Sequence, residues 1–161
     1  MASRSLDDLN QYVKSLAEML LKRAAAVGIP LTVICTLRSM EEQAELHAQG
    51  RTKPGPIVTY ARPGYSFHNF GLALDVVPTR LITMKNWGET PDYREEARAI
   101  WDQLGSIGVD VGLTWGGDFT TLKDRPHFEW SGGLSLAQLR AGAHPPALNL
   151  ADIAKQKGTK A

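Results

Sequence analysis

The chain has 161 residues, 43% of them hydrophobic and 22% charged, which is the composition of one soluble domain able to bury a core without staples. Eighteen basic against seventeen acidic residues leave a formal charge of +1, which excludes the strong basic excess of a dedicated nucleic-acid binder. A single cysteine, Cys35, excludes an internal disulfide framework, and no run approaches the roughly 18 apolar residues of a membrane span.

The first ten residues lack the apolar core of a secretory signal, so the chain reads as a product made in the cytosol, without membrane insertion. A helix is predicted over 5–27, with Ser5 as N-cap, Asp7 and Asp8 in its first turn, and a buried stripe from Leu6, Leu9, Tyr12, Val13, Leu16 and Leu20. Gly28 and Pro30 end it. Leu31 to Thr36 is short, β-branched and apolar, the pattern of a buried strand, and Cys35 inside it reads as a small hydrophobe rather than a nucleophile. Ser39 and Glu42 form a capping-box signature for a second helix that runs to about Gly50. A long Pro- and Gly-containing segment follows over 51–65, a length more often functional than idle.

Gly71 to Val77 reads as a strand closed by Pro78, with Leu72, Leu74 and Val76 on one side and Ala73, Asp75 and Val77 on the other. Thr90-Pro91 opens a helix carrying Tyr93, Ala97, Ile100, Trp101 and Leu104, which is predicted to stop by Gly108. Val109 to Trp115 is then extended, residues 127–130 alternate as a half-buried strand, and Ser135 to Arg140 makes one or two helical turns. The expected architecture is α+β, with a small, mainly antiparallel sheet covered by helices. One domain is expected over 1–146 and a frayed tail over 147–161, with no internal repeat.

Two local contexts carry candidate chemistry. In Ser66-Phe67-His68-Asn69-Phe70-Gly71-Leu72-Ala73-Leu74-Asp75 a histidine stands at a strand entrance, and an acid follows within an apolar strand. An ionised carboxylate between Leu74 and Val76 is costly to bury without a partner, and a cation is such a partner. In Asp124-Arg125-Pro126-His127-Phe128-Glu129-Trp130 a second histidine enters a strand, with an acid three residues before it. Two imidazole nitrogens and one carboxylate oxygen from His68, His127 and Asp75 would form a three-ligand set for a catalytic zinc. On spacing alone the alternative stays open that these are satisfied histidines and a turn or cap aspartate. His47 and His144 read as surface residues.

The stretch Ser66-x-His68-x-x-Gly71-x-Ala73-x-Asp75, followed by Asp124-x-x-His127, resembles the zinc signature of the D-Ala-D-Ala carboxypeptidase and VanX/VanY-type peptidase family. Within it the chain is most similar to phage endolysins that are L-alanyl-D-glutamate peptidases. Leu37-Arg38-Ser39-x-x-Glu42-Gln43, the run from Gln49 to Thr59, and Trp115-Gly116-Gly117-Asp118 carry that branch of the resemblance, which spans about residues 30–130. The resemblance implies a Hedgehog/DD-peptidase-like fold and one Zn2+ held by His68, Asp75 and His127. It implies Asp124 as general base, where many family members have Glu, and Arg38 facing the scissile carbonyl or a substrate carboxylate. Ser66, Arg51 and Trp115 are candidate substrate-binding residues.

The substrate it implies is the peptide stem of peptidoglycan, cut between L-Ala and D-Glu by a metal-activated water. The enzyme would act as a monomer, without nucleic acid, after release through a holin-type membrane lesion. The alternatives are a D,D-carboxypeptidase or dipeptidase on D-Ala-D-Ala, and a zinc-bearing binding module without hydrolysis. For single residues the alternatives are a surface ion pair of Arg38 with Glu41 or Glu42, a turn role for Asp124, a loop-capping role for Ser66, and a core position for Trp115. Glu129 is either a partner of a ligand imidazole or a solvated carboxylate.

Overall fold

A computed structural model of the chain describes residues 1–151, so most of the predicted tail over 147–161 lies outside the described residues. The elements of the described core follow one another as α1 (Gln11–Ala26), β1 (Leu31–Cys35), α2 (Met40–Ala48), β2 (Ala73–Pro78), α3 (Arg94–Val111), β3 (Thr114–Trp115), β4 (His127–Glu129) and α4 (Leu136–Arg140). The strands form one antiparallel sheet in the order β1-β2-β4-β3. The α+β architecture expected from the sequence is the one observed. α1 packs on α3 and on β1, and α3 packs on β3. Leu16, Leu20, Leu72, Leu74, Val76, Trp101, Leu104 and Phe128 meet in the fully buried centre.

Two predicted helices shift their ends, each for a tertiary reason. The first helix begins at Gln11, not at Ser5. Ser5 caps a separate 3-10 turn over Leu6–Asp8, while the Asn10 side chain accepts from the backbone N–H of Tyr12 (2.9 Å) and Val13 (3.3 Å). Leu9 between them is extended and buried, and the Asn10 N–H donates to the Gly71 carbonyl (2.9 Å), which ties the helix start to the entrance of β2.

The third helix begins at Arg94, after a turn at Thr90-Pro91, and runs through Gly108 to Val111, with the left-handed Gly112 as its end. Gly105 and Gly108 are packing residues rather than stops. A Cβ on Gly105 would lie 2.2 Å from the Trp115 ring, and one on Gly108 would lie 2.2 Å from the Phe128 ring. Glycine here lets the helix approach β3 and β4 closely enough to seal the core, and the extended piece expected from Val109 shrinks to the two residues of β3.

Strand register decides what the sheet presents on its other face. Asp75 in β2 pairs with His127 of β4 on one side and with Cys35 of β1 on the other, the latter across a bulge after Val33. Directly opposed residues of antiparallel strands share a face, and so do residues two apart on one strand. Asp75, His127 and Glu129 therefore stand together on the face away from Leu74 and Phe128.

Candidate metal centre

His68 reaches this face from a 3-10 turn over Phe67–Phe70. The Ser66 hydroxyl caps the turn by accepting from the His68 N–H (3.3 Å), and Gly71 ends it in the left-handed region. The imidazole is buried, with Nδ1 2.8 Å from the Thr36 carbonyl oxygen. A carbonyl only accepts, so Nδ1 carries the proton, and in the neutral ring Nε2 presents a lone pair. In His127 the roles of the two nitrogens are exchanged. Its Nε2 lies 2.6 Å from Glu129 Oε2 and donates to that carboxylate, which leaves Nδ1 as the lone-pair nitrogen.

These two lone-pair nitrogens and one carboxylate oxygen converge. His68 Nε2 is 3.1 Å from Asp75 Oδ1, His127 Nδ1 is 3.1 Å from the same oxygen, and the two nitrogens are 3.2 Å apart. Three acceptor positions at such separations repel one another unless a cation or a proton stands among them. Ligands on a tetrahedral zinc, with bonds of ~2.0–2.1 Å, are ~3.3 Å apart, so the donor set and its spacing fit a divalent metal.

The electrostatics of the triangle carry the same conflict. Burial on its own would push both imidazoles down, yet the hydrogen bonds to Asp75, supported by Cys35 for His68 and by Glu129 for His127, carry both well above the ordinary histidine range. Burial likewise works against the Asp75 charge, but His127 and His68 hold its carboxyl well below the usual carboxylate range. Protons and a metal cation compete for the same triangle.

Cys35, His68 and Asp75 also lie within 4.8 Å of one another as a potential ligand group. His68 meets Cys35 through Nδ1 (3.6 Å) and Asp75 through Nε2, on opposite edges of the ring, and Nδ1 is committed to Thr36. The triangle with His127 is therefore the better-formed set. Cys35 is buried, as the sequence suggested.

Arg38 lies beside the triangle, not on the surface with Glu41 or Glu42. Its Nη2 is 3.9 Å from Asp75 Oδ2 and donates to Cys35 Sγ (3.4 Å), while Nη1 donates to Gln43 Oε1 (3.0 Å). Gln43 is fully buried on α2 and in turn donates to the Ala61 carbonyl (2.8 Å). The Arg38 Nε is buried without a hydrogen-bond partner among the described residues. A guanidinium braced in this way beside the triangle is suited to a developing oxyanion or a carboxylate.

Asp124 sits where the turn after β3 closes onto β4. Its N–H donates to the Gly116 carbonyl (2.9 Å), and its own carbonyl accepts from the His127 N–H (3.2 Å). A Cβ on Gly116 would lie 2.3 Å from the Asp124 carbonyl oxygen, so only glycine lets the two segments meet. The carboxylate has no hydrogen-bond partner among the described residues. Desolvation by the surrounding protein raises it above its ordinary value, against the pull of His127 and with a push from Asp75. An unpartnered carboxylate with raised basicity, facing two imidazoles and an arginine, suits proton transfer.

The other candidates fall elsewhere in the architecture. Trp115 is buried, stacks on Phe128, and donates from Nε1 to the Arg125 carbonyl (2.8 Å), so it braces the segment that carries Asp124. Arg51 donates to the carbonyls of His47 and Thr59 (3.1 Å for the latter) and pins the 51–59 loop to the end of α2. Two supporting groups carry no motif of their own, the Thr36 carbonyl and Asn69, whereas Gln43 closes the run from Leu37 that the sequence already singled out. The Asn69 side chain donates to the Arg38 carbonyl (3.0 Å) and accepts from the Gly64 N–H (3.1 Å). His144 is exposed.

Residues 60–130 match a family model described as D-alanyl-D-alanine carboxypeptidase. The peptidoglycan L-alanyl-D-glutamate endopeptidase CwlK of Bacillus subtilis (strain 168) is 41% identical over 122 residues, covering 76% of this chain and 73% of that protein. The L-alanyl-D-glutamate peptidase of Listeria phage A118 is 29% identical over 132 residues, covering 80% of this chain and 41% of that one. The fold resembles a Zn(II) complex of the vancomycin-resistance D,D-pentapeptidase VanY (TM-score 0.55, 18% identity, 83% of this chain and 78% of that one). It also resembles DacB from Streptococcus pneumoniae D39 (TM-score 0.54, 23% identity, 92% and 89%).

Proposed function

The chain belongs to the peptidase family of these D-alanyl-D-alanine carboxypeptidases and L-alanyl-D-glutamate endopeptidases, and from that membership we propose that it is a zinc-dependent endopeptidase of peptidoglycan that cuts the stem peptide between L-Ala and D-Glu. The observation that carries the metal part is the triangle of His68 Nε2, Asp75 Oδ1 and His127 Nδ1, whose tautomers are fixed from behind by Thr36 and Glu129. The similarity to CwlK supports the bond.

His68, Asp75 and His127 would hold one zinc ion. When bound, the ion supplies Lewis acidity toward a peptide carbonyl and brings water into a range where it ionises near neutral pH. The chain's own groups do the rest. Asp124, as the carboxylate, accepts a proton from the attacking water and returns it to the leaving amine. Arg38, braced by Gln43, faces the carbonyl oxygen as it gains charge. The carboxylate of Glu129 keeps the His127 ring in its ligating tautomer.

Delivery fits the same proposal: a monomeric lytic enzyme, similar to a phage peptidase, released to the wall through a lesion made by another protein. Among the described residues no helix is long and apolar enough to cross a membrane.

Digestion of purified muropeptides with and without a chelator, read by mass spectrometry, tests the proposal. New N-terminal D-Glu that vanishes with chelator and returns with zinc is the expected result. Release of terminal D-Ala instead would assign the chain to the D,D-carboxypeptidase activity. Absence of any cleavage would leave a binding module.

A further inference from the structure

A cavity of ≈ 630 Å³ opens on the side of Asp124 formed by Asn86, Trp87, Glu89, Trp101 and the run from Lys123 to Pro126. None of the three ligand side chains lines it, so Asp124 is the group shared by the metal centre and the cavity. We propose that this cavity receives the residue on the amine side of the scissile bond, and that Lys123 reads a free carboxylate on that residue. The inference rests on the endopeptidase reading above and adds to it a substrate subsite.

The argument starts from where the proton goes. The bond from carbonyl carbon to nitrogen breaks as the nitrogen takes a proton from Asp124, so the departing amine must lie against the Asp124 carboxylate. The residue carrying that amine then extends into the space Asp124 walls. The charges there are half satisfied. Arg125 is already ion-paired with Glu89. Lys123 donates from Nζ to the Gly117 carbonyl (2.9 Å) and has no carboxylate partner among the described residues. An ammonium without an anion and a carboxylate without a donor thus belong to residues that line the same cavity.

One amino-acid residue complements both, its nitrogen meeting Asp124 and its carboxylate meeting Lys123. Glutamate keeps one carboxylate free whichever of its two carboxyls continues the chain. The cavity also has room for a side chain longer than alanine's. Its outer wall is Trp87, partly exposed, at φ 50° beside Asn86 at φ 50°. Left-handed backbone at a tryptophan persists only where neighbours impose it. Here the Trp101 indole N–H reaches the Trp87 carbonyl (3.5 Å) behind the wall.

The test compares an L-Ala-D-Glu peptide with the same peptide amidated at its free carboxylate, using the wild-type chain, Lys123→Gln and Lys123→Arg. A charged hydrogen bond of this kind makes the wild type favour the acid roughly ten- to hundredfold in kcat/KM. Lys123→Gln is expected to reduce that preference to about one, mostly through KM, and Lys123→Arg to keep most of it. A wild type that cuts both peptides equally overturns the subsite, and that comparison needs no variant. An acid preference unchanged in Lys123→Gln overturns the role of Lys123. A wild type that cuts neither peptide overturns the endopeptidase reading itself, and this inference with it.

Discussion

The two sides of the site are built in opposite ways. On the sheet side the ring nitrogens of both histidines are committed. His68 is locked by Thr36, His127 by Glu129, and both converge on Asp75 in the middle of the sheet, whose register leaves them no freedom. On the Asp124 side the carboxylate and the Lys123 ammonium lack counterparts, and the wall is a loop in left-handed backbone. Committed atoms hold a ligand that stays. Uncommitted ones, next to a cavity, wait for a ligand that comes and goes. The first arrangement needs little rearrangement of side chains when the cation displaces the protons, and the second leaves charges to be satisfied by substrate.

If the contrast is correct, damage to the sheet side should abolish metal binding and damage to the other side should spare it. Asp75→Asn keeps the shape and removes the charge. Zinc content by elemental analysis is expected to fall from about one per chain to near zero, and turnover roughly 10⁴-fold or more, because Lewis acidity and water activation are lost together. Full zinc occupancy in that variant would refute the triangle.

Asp124→Asn is the complementary experiment. Zinc should stay near one per chain while turnover drops about 10²–10⁴-fold. The acid limb of the wild-type rate profile sharpens the assignment. The carboxylate form of Asp124 is the active one, so kcat/KM at saturating zinc should fall as pH drops through its titration, and that limb should be missing in Asp124→Asn. Arg38→Lys lies between the two sides, since the arginine stands beside Asp75 without being one of the three ligands. Loss of the fork is expected to cost about 10²–10³-fold in kcat with zinc retained.

The committed side was the more legible one in the sequence, for a physical reason. Asp75 inside an apolar strand is an anomaly that needs a cation, and strand alternation carries His127 and Glu129 to its face. The supporting groups left weaker traces. The Thr36 carbonyl is backbone and has no residue-type signal, and Gln43 is a polar residue on a buried helix face, which periodicity assigns to solvent. The open side was hardest to read. Nothing in Asn86-Trp87 announces left-handed backbone, and Lys123 looks like any surface lysine until its neighbours are known. Elsewhere, Ser5 and Asn10 are equally good caps by residue type, and both serve, Ser5 on the 3-10 turn and Asn10 on the helix that the Asn10–Gly71 bond ties to the sheet. Gly108 resembles a helix stop because the Phe128 ring that requires it lies far along the chain.

The smallest expected effect tests how far commitment on the sheet side reaches. Glu129→Gln still offers His127 Nε2 an oxygen to donate to, so the tautomer and the ring orientation survive. What is lost is the negative charge behind the ring, which makes Nδ1 a stronger donor to a cation. Zinc affinity, measured by competition with a chromogenic chelator, should fall about tenfold, with kcat at saturating zinc reduced much less. Because protons occupy the same nitrogens, the apparent affinity of both proteins should rise with pH. The shift should be smaller in the variant, where the Glu129 carboxylate no longer lifts the His127 imidazole. An affinity unchanged by Glu129→Gln would mean that geometry alone, without the charge behind it, sets the strength of the metal site.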